Sequence, residues 1–235
     1  MDNVKAEITE IFSSIQGEGI FLGAKQIFIR FKKCNLNCLF CDEPRNLDVK
    51  EYGSLELVKE VKAIEASKGP HHSVSLTGGE PLLYWDFLKA FLKVLKNNRN
   101  FKSYLETNGT LPHELENIID LVDIVAMDFK LPSSTGERAY WHEHADFLKI
   151  ASKKKVFVKA VVTSATDKED IEKAIQLIKR SCKDIPFILQ PASPVKPGDR
   201  HVDHEKLMGF LEIGSRSDVN NMRVIPQIHK ILKVK

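Results

Sequence analysis

Short runs of β-branched and aromatic residues recur along the chain and alternate with segments of helical periodicity. Between these runs, apolar residues three or four positions apart form helical stripes, for example Leu57, Val58, Val61 and Ile64. The runs predict six strands, at residues 26–32, 73–77, 104–107, 124–127, 156–162 and 187–190. Because strands and helices alternate, the pattern predicts an α/β fold with a parallel sheet and crossover helices.

Further helices are indicated by stripes and by capping residues. A second stripe runs through residues 87–95. Thr166 followed by Glu169 forms a capping box and predicts the start of a third helix. Asp203 is a candidate N-cap for a last helix that carries Leu207 and Phe210.

Polar residues and glycines follow most of the predicted strands directly. In chain order these segments are residues 34–41, 78–81, 108–109, 128–130 and 190–191. An α/β barrel keeps its chemistry at the carboxyl ends of its strands. The sequence therefore predicts one site at this end of the sheet.

Composition narrows the possible classes of protein. The 235 residues, 43% hydrophobic, fit a single α/β barrel domain over residues 1–235. A net charge of +3 is too small to indicate a nucleic-acid or anionic-membrane surface. No uninterrupted apolar run exceeds four residues, so no membrane span is expected. Charged residues stand near Met1 where a secretory signal would be apolar, and we expect a cytoplasmic protein.

Cys34, Cys38 and Cys41 have the spacing C-x3-C-x2-C, which lets three thiolates of one loop converge on one centre. Iron–sulfur clusters are held by such thiolates, and three ligands suit a four-iron cluster with one open iron. Structural zinc is the main alternative, although it needs a fourth ligand. Neither Cys182 nor any of the eight His stands in a partnering motif. Three buried structural cysteines are the other alternative.

Two further segments suggest ligand contacts. Residues 77–81, Thr-Gly-Gly-Glu-Pro, allow close approach to the backbone, although alone they also fit a plain turn. Period-2 alternation in residues 26–32 places Arg30 opposite the apolar face, so Arg30 points into the barrel and needs an anionic partner. That partner is either the carboxylate of a substrate or an internal carboxylate, Glu18 or Glu106.

Together these motifs resemble the radical S-adenosylmethionine (radical SAM) superfamily, whose members carry a three-cysteine loop on a partial (βα)6 barrel and then a Gly-Gly-Glu-Pro motif. Within that superfamily, the sequence is similar to the 7-carboxy-7-deazaguanine synthases. The segments that carry this second resemblance are residues 11–19, 28–31, 34–36, 106–110, 127–130 and 223–230. They span nearly the whole chain.

The resemblance implies a TIM-like partial (βα)6 barrel with a [4Fe-4S] cluster on Cys34, Cys38 and Cys41, whose open iron chelates S-adenosylmethionine. One electron would cleave this cofactor to a 5′-deoxyadenosyl radical, which takes a hydrogen from 6-carboxy-5,6,7,8-tetrahydropterin. The ring would contract with loss of ammonia to 7-carboxy-7-deazaguanine, a precursor of queuosine. The resemblance also implies a homodimer, an electron donor such as flavodoxin or ferredoxin, and no nucleic-acid partner.

Individual roles follow from the same resemblance. The residues implied around the cofactor are Phe40, Asp42, Gly79, Glu80, Asp128, Phe129, Lys130, Gln190 and Pro191. The residues implied around the pterin are Ile15, Gln16, Gly17, Arg30, Thr77 and Lys235, with Arg30 on the substrate carboxylate and Lys235 contributing a terminal carboxylate.

One position departs from the family pattern. After the third cysteine and its aspartate the family usually has Thr or Ser, whose hydroxyl helps to bind a Mg²⁺ that bridges to the substrate carboxylate. Here Glu43 stands at that position. A carboxylate is a good ligand for a hard cation, so Glu43 is expected to bind Mg²⁺ with altered geometry. Without a cation, Glu43 would repel the substrate carboxylate.

Two other functions stay open at this point. A radical activase that forms a glycyl radical on a partner protein shares the short barrel and the cysteine loop, although residues 16–19 and His229 argue against it. A zinc-stabilised binding module accounts for the cysteines and for none of the residues at the strand ends.

Overall fold

The computed structural model describes residues 4–43, 47–97, 101–181, 184–194 and 201–234. The strands are β1 (Lys5–Ile15), β2 (Lys25–Phe31), β3 (Lys50–Gly53), β4 (Ser73–Gly78), β5 (Ser103–Thr107), β6 (Ile124–Asp128), β7 (Lys155–Val162), β8 (Phe187–Pro191) and β9 (Met222–Val224). The α-helices are α1 (Ser54–Lys68), α2 (Trp85–Lys96), α3 (Pro112–Glu116), α4 (Pro132–Thr135), α5 (Trp141–Ala151), α6 (Lys168–Ser181), α7 (His204–Arg216) and α8 (Ile228–Leu232). Within these ranges, no helix combines the length and apolarity that a bilayer crossing requires.

One sheet contains all of these strands, in the order β3-β1-β2-β4-β5-β6-β7-β8-β9. From β2 to β9 neighbouring strands are parallel, whereas β1 is antiparallel to both β2 and β3. Each of the six strands β2, β4, β5, β6, β7 and β8 is followed by a helix before the next parallel strand. This is the (βα)6 arrangement that the sequence predicts.

The six predicted strands all coincide with parallel strands of the sheet, because each carries enough apolar residues to be buried. In β2, Ile27, Ile29 and Phe31 are almost fully buried in the main hydrophobic core with residues of α1 and α2. Arg30 lies on the opposite face and lines a cavity inside the barrel. The predicted direction of Arg30 is therefore confirmed.

Three strands were not predicted. Strand β1 has no clear alternation, since its residues from Thr9 to Ser14 are all partly buried. Strands β3 and β9 contain only four and three residues. The capping box is also not formed as predicted: α6 begins at Lys168, and the Thr166 hydroxyl accepts a hydrogen bond from the Thr163 N–H. Asp203 does cap α7, although α8 follows it.

Aromatic side chains fill the amino-terminal end of the barrel. Tyr104 and Phe157, near the starts of β5 and β7, pack with Phe21 in a small hydrophobic cluster of their own. The rings of Phe21 and Tyr104 meet edge to face at 5.7 Å between centroids. Gly19, at φ 65°, lies against the Phe157 ring, where a Cβ would come within 2.4 Å of a ring carbon. We call Phe21, Tyr104 and Phe157 the aromatic plug.

Candidate active site

A cavity of about 430 Å³ opens at the carboxyl ends of the parallel strands. It brings together many residues that the sequence predicts, from loops that are distant along the chain. Those that line it are Arg30, Cys34, Cys38, Phe40, Cys41, Asp42, Glu43, Thr77, Gly79, Asp128, Lys130 and Gln190. The structure therefore brings these residues together at the predicted end of the sheet, and their roles stay predictions.

The cysteine loop is held in place from two sides. On one side, the Leu39 N–H donates to the Thr135 carbonyl at 2.9 Å, and the Asn37 N–H donates to Glu137 Oε1 at 2.6 Å. On the other, Gly79 packs so closely that a Cβ on it would lie 2.1 Å from the Lys33 carbonyl oxygen. Glycine is therefore required at this position by the close approach of two backbone segments.

The three thiols suit a cluster better than a single ion. Within the described ranges, no three His, Cys, Asp or Glu side chains form a group that could hold one metal ion. A structural zinc ion needs four ligands about 2 Å from one centre, whereas a cluster spreads its thiolates over several iron atoms. The donor set and the cavity beside it therefore fit an iron–sulfur cluster. Burial raises the pKa of the free Cys38 thiol to about 11, opposed by the charge of Lys130.

Two partly buried lysines contact one aspartate on the cavity wall. Lys130 Nζ lies 2.9 Å and Lys159 Nζ 3.8 Å from Asp128 Oδ2. Lys159 also donates to Glu18. Burial alone would raise the pKa of Glu18, but the charge and hydrogen bond of Lys159 outweigh it and hold that pKa at about 2. Burial would lower the pKa of Lys159, but Glu18 and Asp128 raise it.

Lys159 was missed by the sequence analysis. It lies in the middle of the apolar run of β7, two residues from Phe157 and therefore on the same, inward face of the strand. The reasoning that placed Arg30 inside the barrel applies equally to Lys159. The sequence signal that could have predicted Lys159 as a residue of the site is a single basic residue within an otherwise apolar strand.

Two buried oxygens in the wall have no hydrogen-bond partner among the described residues: Asp128 Oδ1 and Gln190 Oε1. Leaving such acceptors unpaired is costly, and both residues line the cavity. They are therefore suited to accept hydrogen bonds from a ligand that carries hydroxyl or amino groups.

Arg30 contacts two carboxylates of the chain. Its Nε lies 3.0 Å from Glu10 Oε2, and its NH1 donates to Glu43 Oε1. The internal partners named from the sequence, Glu18 and Glu106, are wrong, because Glu18 pairs with Lys159 and Glu106 accepts hydrogen bonds from neutral groups. Burial raises the pKa of Glu43, and Arg30 opposes that shift.

Three residues predicted around the pterin, Ile15, Gln16 and Gly17, are not among those that line the cavity. The Gln16 amide donates to Gln26 Oε1 at 3.0 Å and to Glu106 Oε1 at 2.8 Å. It therefore lies in the layer below the cavity, where it orients Glu106. Thr77, which does line the cavity, donates to the other oxygen of the Glu106 carboxylate at 2.9 Å.

Three residues predicted around the cofactor, Glu80, Phe129 and Pro191, are likewise not among those that line the cavity. Glu80 is fully buried and accepts hydrogen bonds from the Leu82 and Asn108 N–H groups at 3.0 and 2.7 Å. Burial raises the pKa of Glu80 to about 7 despite these bonds. Phe129 stacks on His144 in the core. Lys235 and Cys182 lie outside the described residues.

The C-terminal segment closes one side of the site. The Gln227 amide donates to Glu18 Oε1 at 2.9 Å and to Asp42 Oδ2 at 3.2 Å. The Ile228 N–H donates to the Gly17 carbonyl at 3.0 Å. Gly17 has no room for a side chain there, because a Cβ would lie 2.2 Å from the His229 ring. Sequence reasoning assigned no contact to Gln227.

Comparisons with known proteins show the family to which the chain belongs. The family profile of the Radical SAM superfamily matches residues 28–189. The 7-carboxy-7-deazaguanine synthase of Geobacter sulfurreducens is 36% identical, over 99% of both chains. That of Methanothermobacter thermautotrophicus is 33% identical, over 97% of this chain and 98% of the relative. The crystal structure of QueE from Escherichia coli has a similar fold, with a TM-score of 0.64 at 22% identity over 96% of this chain and 95% of that chain.

Proposed function

Since this chain belongs to the radical SAM superfamily and, within it, to the 7-carboxy-7-deazaguanine synthase family, we propose that it converts 6-carboxy-5,6,7,8-tetrahydropterin to 7-carboxy-7-deazaguanine with loss of ammonia. The observation that carries the proposal is one cavity that is lined both by the three cysteines and by Arg30. Such a cavity can hold a cofactor on the cluster and a carboxylated substrate together.

The three cysteines would hold the cluster, and the two unpaired acceptor oxygens would contact S-adenosylmethionine. Cys34, Cys38 and Cys41 would hold the [4Fe-4S] cluster, which supplies one-electron reduction of S-adenosylmethionine when both are bound. Asp128 and Gln190 would accept hydrogen bonds from the hydroxyl and amino groups of the nucleoside part. Phe40, Asp42, Gly79 and Lys130 line the same cavity. Glu80, Phe129 and Pro191 would support this wall from behind.

Arg30 and Thr77 would orient the pterin. A guanidinium offers a planar pair of donors that matches a carboxylate, and the Phe12 ring lies 5.6 Å from the Arg30 carbon that carries them. Glu106 fixes the Thr77 hydroxyl, and Gln16 fixes Glu106. Ile15, Gln16, Gly17 and Lys235 complete the proposed substrate set, of which the first three act from outside the cavity wall.

Mg²⁺ is a third cofactor in this proposal. Within the described ranges no three His, Cys, Asp or Glu side chains form a group that could hold a metal ion, and in this proposal the oxygens of the substrate carboxylate share in binding Mg²⁺. Glu43 would then give up its contact with Arg30 and bind the cation through its carboxylate oxygens, which are hard ligands. Equal turnover with Mg²⁺ and with a chelator would contradict a metal role for Glu43.

The remaining partners follow from the chemistry. Reduction of the cluster needs a one-electron donor, for which flavodoxin or ferredoxin is suited, and free thiols that bind a cluster favour the reducing cytoplasm. We propose one catalytic unit over residues 1–235 and a homodimer, as the family resemblance implies. The substrate is a small molecule, and no nucleic acid takes part.

The test is anaerobic turnover of the reconstituted protein with dithionite, S-adenosylmethionine and 6-carboxy-5,6,7,8-tetrahydropterin. Mass spectrometry should detect 7-carboxy-7-deazaguanine. Formation of 5′-deoxyadenosine without that product would contradict the substrate and favour another radical SAM activity, such as glycyl-radical activation.

A pair of cysteine variants tests the cluster ligands separately. Cys38→Ala should lose the bound iron and sulfide. It should also lose the absorbance at about 400 nm that is typical of [4Fe-4S] clusters. Cys182→Ala, the matched control outside the motif, should keep them. Equal iron content in the two variants would contradict the assignment of Cys38.

A further inference from the structure

Two carboxylates of the chain itself already contact Arg30. Glu10 approaches Nε at 3.0 Å, and Glu43 accepts a hydrogen bond from NH1. The Arg30 side chain is 18% exposed and that of Glu43 33% exposed, so this second contact lies at the open side of the cavity. A carboxylate ligand that approaches Arg30 from the cavity therefore meets Glu43 first.

The two internal carboxylates differ in how they are held. Glu10 belongs to β1 and is paired directly with Arg30 across the β1–β2 ladder, so the backbone fixes it beside the guanidinium. Glu43 lies outside any helix or strand, two residues beyond Cys41. The backbone ladder does not hold Glu43 at Arg30. Of the two partners of Arg30, Glu43 is therefore the one that a ligand can displace.

We propose that Glu43 is an internal occupant of the carboxylate site at Arg30, and that a carboxylated ligand of the cavity displaces it to reach NH1 of Arg30. The identity of that ligand, a pterin with a carboxylate, rests on the proposed function. Glu43 thereby lowers the affinity of the site for carboxylates. A carboxylate that displaces Glu43 only replaces one charge pair with Arg30 by another, whereas a neutral analogue leaves the pair of Arg30 and Glu43 in place.

The proposal predicts that removal of the Glu43 charge strengthens the binding of a carboxylate. The probe is pterin-6-carboxylate, a stable oxidised analogue whose fluorescence can be titrated, in a buffer with EDTA so that no cation bridges two carboxylates. Glu43→Gln should bind this probe about two- to fivefold more tightly than the wild type, the range for loss of one partly screened charge competitor. The uncharged analogue 6-hydroxymethylpterin should bind both proteins equally.

Two controls make the result specific. Glu212→Gln removes one surface carboxylate from a helical pair with Arg216 and leaves the cavity unchanged, so its affinity for the probe should equal that of the wild type. Glu43→Thr removes the charge with a smaller side chain and should show the same gain as Glu43→Gln. Circular dichroism and thermal melting of each variant confirm that it is folded.

Unchanged or weaker binding of pterin-6-carboxylate by folded Glu43→Gln and Glu43→Thr would overturn the proposal. An equal gain for the neutral analogue would also overturn it, because the effect would then come from space and not from charge. Failure of the proposed function is seen separately, as absence of 7-carboxy-7-deazaguanine from turnover by the wild type.

Discussion

Lys230, on the C-terminal helix α8, forms an ion pair with Asp42, the residue that follows the last cysteine of the loop. The same carboxylate accepts a hydrogen bond from Gln227. Asp42 therefore joins the C-terminal segment to the cysteine loop. Order in one of these segments depends on order in the other.

Replacement of Asp42 by asparagine should loosen the C-terminal segment. The variant loses the ion pair with Lys230, which is about one-third exposed, so amide exchange in residues 227–232 should become about threefold to fivefold faster. Hydrogen–deuterium exchange with mass spectrometry measures this. Glu51→Gln, which removes an exposed pair with Lys5, serves as the control and should leave residues 227–232 unchanged. Identical exchange in all three proteins would show that the ion pair does not hold the segment.

The Glu18–Lys159 pair should make stability sensitive to acid. The pKa of Glu18 is about 2 in the folded protein and 4.5 ordinarily, so its contribution is complete above pH 4.5 and is lost as the pH falls toward 2. Between pH 5 and pH 3 the wild type should lose about 2 kcal/mol more unfolding free energy than Glu18→Gln, which has no carboxylate to protonate. Urea unfolding at each pH gives both values. If the unfolding free energies of the two proteins change equally with pH, the Glu18–Lys159 pair is not the cause of the acid sensitivity.

An alanine at position 79 should damage the cysteine loop. The new Cβ would lie 2.1 Å from the Lys33 carbonyl oxygen, so a backbone segment has to move. Gly79→Ala should lower the unfolding free energy by about 1–3 kcal/mol and reduce the iron bound after reconstitution. Gly209→Ala is the matched control, because a Cβ in the middle of α7 meets nothing within 4 Å. It should stabilise the protein by about 0.5–1 kcal/mol, as expected for glycine to alanine in a helix. The interpretation fails if the two variants bind equal amounts of iron.

Asp128→Asn should weaken the binding of S-adenosylmethionine. The substitution removes the negative charge shared by Lys130 and Lys159 and replaces one acceptor oxygen by a donor. Loss of a charge-assisted hydrogen bond corresponds to about tenfold or more in the dissociation constant. Calorimetric titration of the cluster-loaded protein measures it, and Asp120→Asn in the turn before β6 is the control. An unchanged dissociation constant would remove Asp128 from the cofactor site.

Much of the fold follows from local sequence pattern. A window of about ten residues is enough to predict each of the six strands and each helical stripe between them. The family prediction is confirmed by relatives that match over nearly the whole chain. The direction of Arg30 was also predictable from alternation in one strand.

The partners of Arg30 were not predictable, since they depend on contacts between distant segments. Glu10 reaches Arg30 through the register of β1, a strand whose partly buried residues show no period. Glu43 reaches it through the path of a loop. The same limit applies to Glu80, whose motif suggests a ligand contact although its carboxylate caps a turn and binds the Asn108 N–H.

The aromatic plug has a consequence for how ligands reach the site. Phe21, Tyr104 and Phe157 pack at the far end of the barrel, and the cavity opens where the parallel strands end. As far as the described residues extend, ligands therefore enter and leave at the carboxyl ends of the strands, at an opening that the cysteine loop and Gln227 border.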